Sequence, residues 1–109
     1  MDVFEAIRTR RSIRKYKDKP VPWDNIVTIM QAGKYAPSAG NLQNWKFIYV
    51  KTDDKRSAIA KACLGQEWME IAPVFIVVVA EPEKAERHYG TRGARLYTTQ
   101  ACAAAIQNM

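Results

Sequence analysis

Two short segments of the chain carry side chains that could bind a ligand, and the first is the basic run Arg10–Arg14. In an extended backbone alternate side chains share a face, which would place Arg10, Ser12 and Arg14 together. Two guanidinium groups and a hydroxyl that converge on one point suit a phosphate group. Basic stretches of this kind also occur as solvated loops, so this segment alone leaves both interpretations open.

The second segment is the loop Pro37–Gln43, in which most residues are small or carry an amide. Its small residues would allow a flat ligand to approach the backbone closely. Asn41 and Gln43 can each donate and accept hydrogen bonds, which suits the edge of a heteroaromatic ring. A well-formed turn between a helix and a strand is the alternative, and for this segment alone it is favoured.

Positive charge is concentrated near the N-terminus. The net charge is +6, from 17 Lys and Arg against 11 Asp and Glu. Residues 1–19 hold seven basic and three acidic side chains, so they supply four of the six surplus charges. Such a cluster is typical of a protein with a phosphate-bearing partner, which could be a nucleic acid, a nucleotide or a phosphorylated cofactor. From charge alone, a solvated basic loop is an equally good interpretation. A nucleic-acid module is disfavoured, because no helix-turn-helix, zinc-finger or ribonucleoprotein motif is present.

Composition places the chain among ordinary globular proteins. It has 109 residues, of which 48% are hydrophobic and 26% charged, so we expect a single domain. The longest apolar run, Val74–Ala80, is too short to cross a bilayer, and no signal peptide is visible. Cys63, Cys102 and His88 are too few for a zinc site. We therefore predict a cytoplasmic protein with no metal, no membrane and no nucleic acid as partner.

Hydrophobic spacing predicts the elements that must position the two segments. A short helix ends near Thr9, and an amphipathic helix covers residues 22–35. Trp45–Val50 and Val74–Ala80 are predicted strands, the second a central one because an unbroken apolar run indicates burial on both faces. The remaining expectations are a helix at about 54–63, a polar loop with a helical start at Glu81–Arg95, and a buried helix at Leu96–Met109.

These features together resemble the beginning of the FMN-dependent nitroreductase family. Four ordered matches carry the resemblance over essentially all of the chain: Arg-Arg-Ser-Ile-Arg after a helix, Ala-Pro-Ser-Ala-Gly-Asn-Leu-Gln-x-Trp before a strand, Ala-Pro-Val at 72–74, and Ala-Ala-Ala-Ile-Gln-Asn in the last helix. The resemblance implies an α+β fold, a three-layer α/β/α sandwich with a mixed, largely antiparallel sheet in an intertwined homodimer. The family continues into a second half, so residues 1–109 are expected to form the N-terminal part of one FMN-binding domain.

The resemblance also implies roles for particular residues. Arg10, Arg11 and Ser12 would hold the FMN phosphate, and Arg14 would lie towards the pyrimidine edge and the ribityl chain. The isoalloxazine ring would face a loop from the other subunit, through Pro37, Ser38, Ala39 and Asn41. Gln43 would support that loop, or would serve as a purely structural amide. Family members usually carry proline where this chain has Asn44, so the exit of the loop is expected to be less rigid.

The function implied is that of an NAD(P)H-dependent FMN oxidoreductase. NADH or NADPH would reduce FMN, and the flavin would reduce a nitroaromatic, a quinone or a related small-molecule acceptor by ping-pong turnover. Hydride would pass through the flavin N5, so no catalytic side chain is named. The alternative is a flavin-binding protein without turnover, or a branch of the family with other flavin chemistry such as flavin fragmentation or dehalogenation.

Overall fold

The computed structural model describes residues 1–109 as five α-helices and two β-strands. The helices are α1 (Val3–Thr9), α2 (Trp23–Lys34), α3 (Asp53–Ala62), α4 (Pro82–Arg92) and α5 (Thr98–Asn108), and the strands are β1 (Trp45–Val50) and β2 (Phe75–Ala80). Two 3₁₀ turns, Ala39–Asn41 and Glu67–Ile71, and a π-helical turn, Gly93–Tyr97, join them. The α+β class is confirmed.

The helix starts follow from local chemistry. Asp2 caps α1, where its carboxylate accepts the Glu5 N–H at 2.8 Å. Pro22 stands immediately before α2 and Pro82 is the first residue of α4, where a missing N–H costs nothing. The predicted helical start after Glu81 is confirmed, but the loop predicted for the rest of Glu81–Arg95 was wrong, because the helix continues to Arg92. The charged residues of α4 form its solvent face, while Ala85 is buried beneath them.

β1 and β2 form an antiparallel pair in which Trp45 lies opposite Ala80 and Val50 opposite Phe75. The sheet contains only these two strands. The expectation that β2 is buried on both faces was therefore wrong, since its side chains are half-buried or exposed. The apolar run in β2 does not by itself require burial on both faces. In this structure β2 pairs only with β1, and no strand lies along its other edge.

The core lies between the sheet and the helix pair α2 and α5. Trp45 packs with Ala36, Ala101 and Ala105, while Phe47 lies against this cluster. The small side chains of α5 allow it to approach both α2 and the strands closely. The predicted helix from Leu96 begins as a π turn, and α5 buries only Thr98, Ala101 and Ala105.

Much apolar surface is left open to solvent. The chain exposes 8284 Å², whereas a compact monomer of this mass exposes about 6,100 Å². The helix α1 buries none of its residues, and its apolar side chains Val3, Phe4 and Ile7 are more than half exposed. No helix combines the length and the apolar composition that a bilayer-spanning segment requires.

Candidate functional site

The basic segment Arg10–Arg14 follows α1 as an exposed, irregular stretch of chain. The Arg10 Nη1 donates a hydrogen bond to the Ser12 Oγ at 3.4 Å, so these two side chains share one side of the segment. Arg14 lies over the ring of Trp68, with 5.9 Å between its Cζ and the ring centroid. Trp68 in turn stacks on Tyr16. The structure thus brings Arg10 and Ser12 together and sets Arg14 against an aromatic surface.

The positive charge of this region has no acidic partner within the chain. The ion pairs of the structure join Lys46 and Lys84 to Glu81, and Arg56 to Asp53. None of the seven basic side chains in residues 1–19 takes part in one. Uncompensated charge of this kind attracts anionic ligands, since no neighbouring carboxylate competes for the guanidinium groups.

The loop Pro37–Gln43 has an unusual backbone. Gly40, Asn41 and Gln43 have φ values of 60°, 54° and 49°, in the left-handed region that side chains other than glycine enter at a cost. The Ser38 Oγ accepts the Gln43 N–H at 2.9 Å, and the Gln43 Nε2 donates to the Asn41 Oδ1 at 3.3 Å. The loop therefore holds the Asn41 amide at the surface, tied to that of Gln43.

A cavity of about 450 Å³ opens beside this loop. Pro37, Ser38 and Ala39 line one side of it, and Tyr97, Ala101 and Ala104 line the other, with Gln100. Tyr97 packs edge-on against Tyr89, with ring centroids 5.3 Å apart. The Tyr89 hydroxyl approaches Gly40 so closely that a Cβ there would lie 2.6 Å from it. The long-range packing of α4 and of the π turn Gly93–Tyr97 brings these two tyrosines to the loop.

The exit of the loop is anchored, contrary to the expectation drawn from Asn44. The Asn44 Nδ2 donates to the Thr98 Oγ1 at 2.7 Å, and the two residues are 2% and 1% exposed. The Asn44 carbonyl accepts the Glu81 N–H at 2.9 Å. A buried side-chain hydrogen bond to α5 thus fixes the chain where the sequence suggested a looser exit.

The two predicted segments are not joined to each other by any hydrogen bond or ion pair. Neither cysteine forms a disulfide. Burial raises the pKa of the Cys102 thiol, which keeps it protonated and unreactive at neutral pH. The arrangement offers an exposed basic segment and a loop of small and amide groups, each chemically suited to binding a ligand.

The model of the Nitroreductase family matches residues 7–67. An NADH dehydrogenase of Thermus thermophilus is 40% identical over 88 residues, which are 81% of this chain and 43% of that protein. An FMN reductase [NAD(P)H] of Bacillus subtilis is 33% identical over 85 residues, or 78% of this chain and 34% of that protein.

Solved structures agree with the sequence relatives. The NADPH:FMN oxidoreductase of Vibrio harveyi, complexed with NAD⁺, superposes with a TM-score of 0.80 at 27% identity, covering 96% of this chain and 48% of that one. The chain spans about half the length of the curated relatives it matches, or less. The match of the family model to more than half of the chain, together with the shared fold, shows that this chain belongs to the nitroreductase family.

Proposed function

We propose that this chain is part of an FMN-dependent oxidoreductase. The enzyme takes reducing equivalents from NADH or NADPH and passes them to a nitroaromatic, a quinone or a related acceptor by ping-pong turnover. The observation that carries the proposal is the uncompensated positive charge at Arg10–Arg14, because a family member that binds a phosphorylated cofactor needs such a segment. The names of two similar proteins, an FMN reductase and an NADPH:FMN oxidoreductase, support FMN as that cofactor.

The residues present fit the phosphate end of FMN. Arg10 and Ser12 already lie side by side, and Arg11 is exposed and free of hydrogen bonds to the rest of the chain. Arginine binds phosphate through paired N–H groups in a planar fork, and a hydroxyl adds a further donor. We assign the phosphate to Arg10, Arg11 and Ser12. Arg14, steadied on Trp68, would direct its charge to the pyrimidine edge.

The loop fits the ring end of FMN. The small side chain of Ala39 leaves the backbone accessible to a flat ring, while Asn41 offers an exposed amide for the ring edge. We assign Pro37, Ser38, Ala39 and Asn41 to the ring and Gln43 to support of the loop. Bound FMN supplies the hydride chemistry, whereas the side chains bind and orient it and tune its electrostatic environment.

A homodimer accounts for two features of the chain. The basic segment and the loop are not bonded to each other, so one subunit would supply the phosphate contacts and the other the ring contacts. The open apolar surface, including the exposed face of α1, would be covered by a partner. Residues 1–109 would then form the N-terminal part of the FMN-binding domain.

The decisive experiment identifies the chromophore of the purified full-length protein. We expect denaturation to release FMN, identified by absorption and mass. Anaerobic addition of NADH or NADPH should bleach the bound flavin, and a nitroaromatic or a quinone should restore its absorbance. Absence of flavin would refute the proposal as a whole. Flavin that neither nicotinamide reduces would identify a flavin-binding protein without this turnover.

The phosphate assignment predicts that Arg10→Ala weakens FMN binding more than Arg8→Ala does. A charge-assisted hydrogen bond contributes ~1.5–3 kcal/mol, so the dissociation constant should rise roughly tenfold or more in the first variant. Arg8 belongs to the last turn of α1 and serves as the matched control. Fluorescence titration measures both constants, and equal values would remove Arg10 from the phosphate site.

The ring assignment predicts that Asn41→Ala lowers FMN affinity or shifts the flavin potential while the fold is kept. Asn41 is exposed, so its amide is available to a ligand and adds little to the core. Because Asn41 has φ 54°, an alanine there also carries backbone strain, whereas Asn41→Gly removes the amide without that strain. Both variants should therefore bind FMN similarly weakly. Unchanged affinity and potential, with a lower unfolding temperature, would make Asn41 a structural turn residue.

A further inference from the structure

We infer that the buried pair Asn44 and Thr98 is a positioning device, which holds the loop Pro37–Gln43 in its ligand-binding conformation. The inference rests on the proposed function, since it assigns what keeps the FMN-facing loop in place. The two residues stand 54 positions apart in the chain and share one short hydrogen bond of 2.7 Å. Both are almost fully buried, so the bond is shielded from competing water.

The loop needs such an anchor because its backbone is strained. Asn41 and Gln43 both have backbone angles in the left-handed region. For Gln43 this conformation has a steric cost, because a residue with a Cβ rarely adopts a positive φ. Conformations of this kind persist only where the surrounding structure fixes them, and they are concentrated at functional sites. Within the loop, only the hydroxyl of Ser38 and the amide of Asn41 bind Gln43. Those two contacts lie inside the segment and cannot hold it to the rest of the fold.

The residue at position 44 affects whether Gln43 can adopt its left-handed backbone conformation. Proline would push the preceding residue towards extended backbone, which disfavours the φ of 49° seen at Gln43. Asparagine imposes no such restriction. Its side chain also provides a long-range bond that proline could not make. Asn44 thus permits the strained loop and anchors its exit at the same time.

The hydrogen-bond roles at Thr98 are fixed by its second partner. The Thr98 Oγ1 lies 2.9 Å from the Gly93 carbonyl oxygen, which can only accept. The hydroxyl proton is therefore used on Gly93, and Thr98 must accept from Asn44. This orients the Asn44 amide with its NH₂ group inward. An aspartate at position 44 could not donate, and valine at position 98 could neither accept nor donate.

The same hydroxyl connects the loop to the π turn Gly93–Tyr97. Through Thr98 the exit of the loop is linked to Gly93 by two successive hydrogen bonds. Tyr97, the last residue of that turn, lines the cavity opposite Pro37 and Ala39. Single π turns within helices are frequent at functional sites. Both walls of the cavity therefore depend on one buried threonine.

The test compares Thr98→Val with Thr99→Val in the flavin-loaded protein. Thr99 is the next residue, its hydroxyl bonds only to the Arg95 carbonyl within the exposed side of the helix, and it is the matched control. For Thr98→Val we expect the FMN dissociation constant to rise about tenfold and the flavin midpoint potential to move, because a buried donor loses its partner. Thr99→Val should match the wild type in both, and Thr98→Ser should restore both.

A second measurement does not depend on flavin. In the apo protein, Thr98→Val should speed hydrogen exchange at the Gln43 and Trp45 amides, whose bonds close the loop, and leave the amides of α2 unchanged. If Thr98→Val does not fold, Asn44→Asp removes the same bond, because a carboxylate cannot donate to the Thr98 hydroxyl, and Thr98→Ser remains the variant that keeps it. Wild-type affinity, potential and loop exchange in a variant without the bond would overturn the inference. Absence of flavin in the wild type would instead refute the proposed function.

Discussion

Replacing Gly93 by alanine should destabilise the protein by about 3 kcal/mol or more, because a side chain at this position has no space. Gly93 opens the π turn and lies against α4. A Cβ there would collide with the Ala85 carbonyl oxygen and stand 2.8 Å from the Tyr89 Cβ. A backbone carbonyl and a Cβ atom are both fixed by the helix backbone, so no side-chain rotation can relieve the collision. Urea unfolding of the apo protein measures the loss.

Gly65→Ala is the control that separates steric conflict from backbone strain. Gly65 has φ +64° but nothing lies within 4 Å of a Cβ there. Gly93 has a helical φ of −62°, so alanine suits its backbone and only the collision remains. We expect Gly65→Ala to cost about 1–2 kcal/mol. A smaller loss for Gly93→Ala than for Gly65→Ala would show that α4 yields to the added methyl group.

The Gly93 variant should also report on the loop, because Gly93 is where three elements meet. Its carbonyl accepts the Thr98 hydroxyl that anchors Asn44, and its neighbour Tyr89 lies against Gly40. Displacement of α4 would therefore move the loop and the tyrosine together. Gly93 lies outside both predicted ligand segments. Its close packing against α4 nevertheless makes the loop sensitive to the position of that helix.

Local patterns predicted most of the elements. β1 has the predicted bounds Trp45–Val50, and α2 occupies Trp23–Lys34 within the expected 22–35. These elements combine a strong apolar period with a proline or a change of composition at each end. The helical start after Glu81 was predicted, but the continuation of α4 to Arg92 was not, because Ala85 is the only residue that this helix buries. Besides Pro82, α4 contains only Ala85 and Tyr89 as apolar residues, so its sequence carries little periodic signal.

Side-chain networks between distant residues were not predictable from the sequence. The spacing of Arg10 and Ser12 predicts their contact because extended geometry is local. The bond from Asn44 to Thr98 and the contact of Tyr89 with Gly40 depend on how α4 and α5 return to the sheet. The resemblance to a family predicted which loop matters, and the packing of this chain determines what holds that loop.

Arg56→Met should be the second strongly destabilising substitution, at about 3 kcal/mol. The Arg56 side chain is only 13% exposed. Its Nε donates to the Lys51 carbonyl at 3.1 Å and one Nη to the Glu70 carbonyl at 2.8 Å; the guanidinium also bonds the Ala72 carbonyl and the Asp53 carboxylate. One side chain thus ties the end of β1, the 3₁₀ turn and the approach to β2 to α3.

Methionine keeps the apolar stem of Arg56 and removes every donor, so the carbonyls it served would lose their partners together. Arg87→Met is the matched control. Arg87 is exposed and makes one bond of 3.3 Å to the Glu83 carbonyl within its own helix. We expect that variant to change the free energy of unfolding by less than about 0.5 kcal/mol. If Arg56→Met lowered the free energy of unfolding as little as Arg87→Met, water would replace the Arg56 guanidinium as hydrogen-bond donor without cost. A large loss confined to Arg56 would establish it as a structural cation, committed to backbone carbonyls and unavailable to a phosphate.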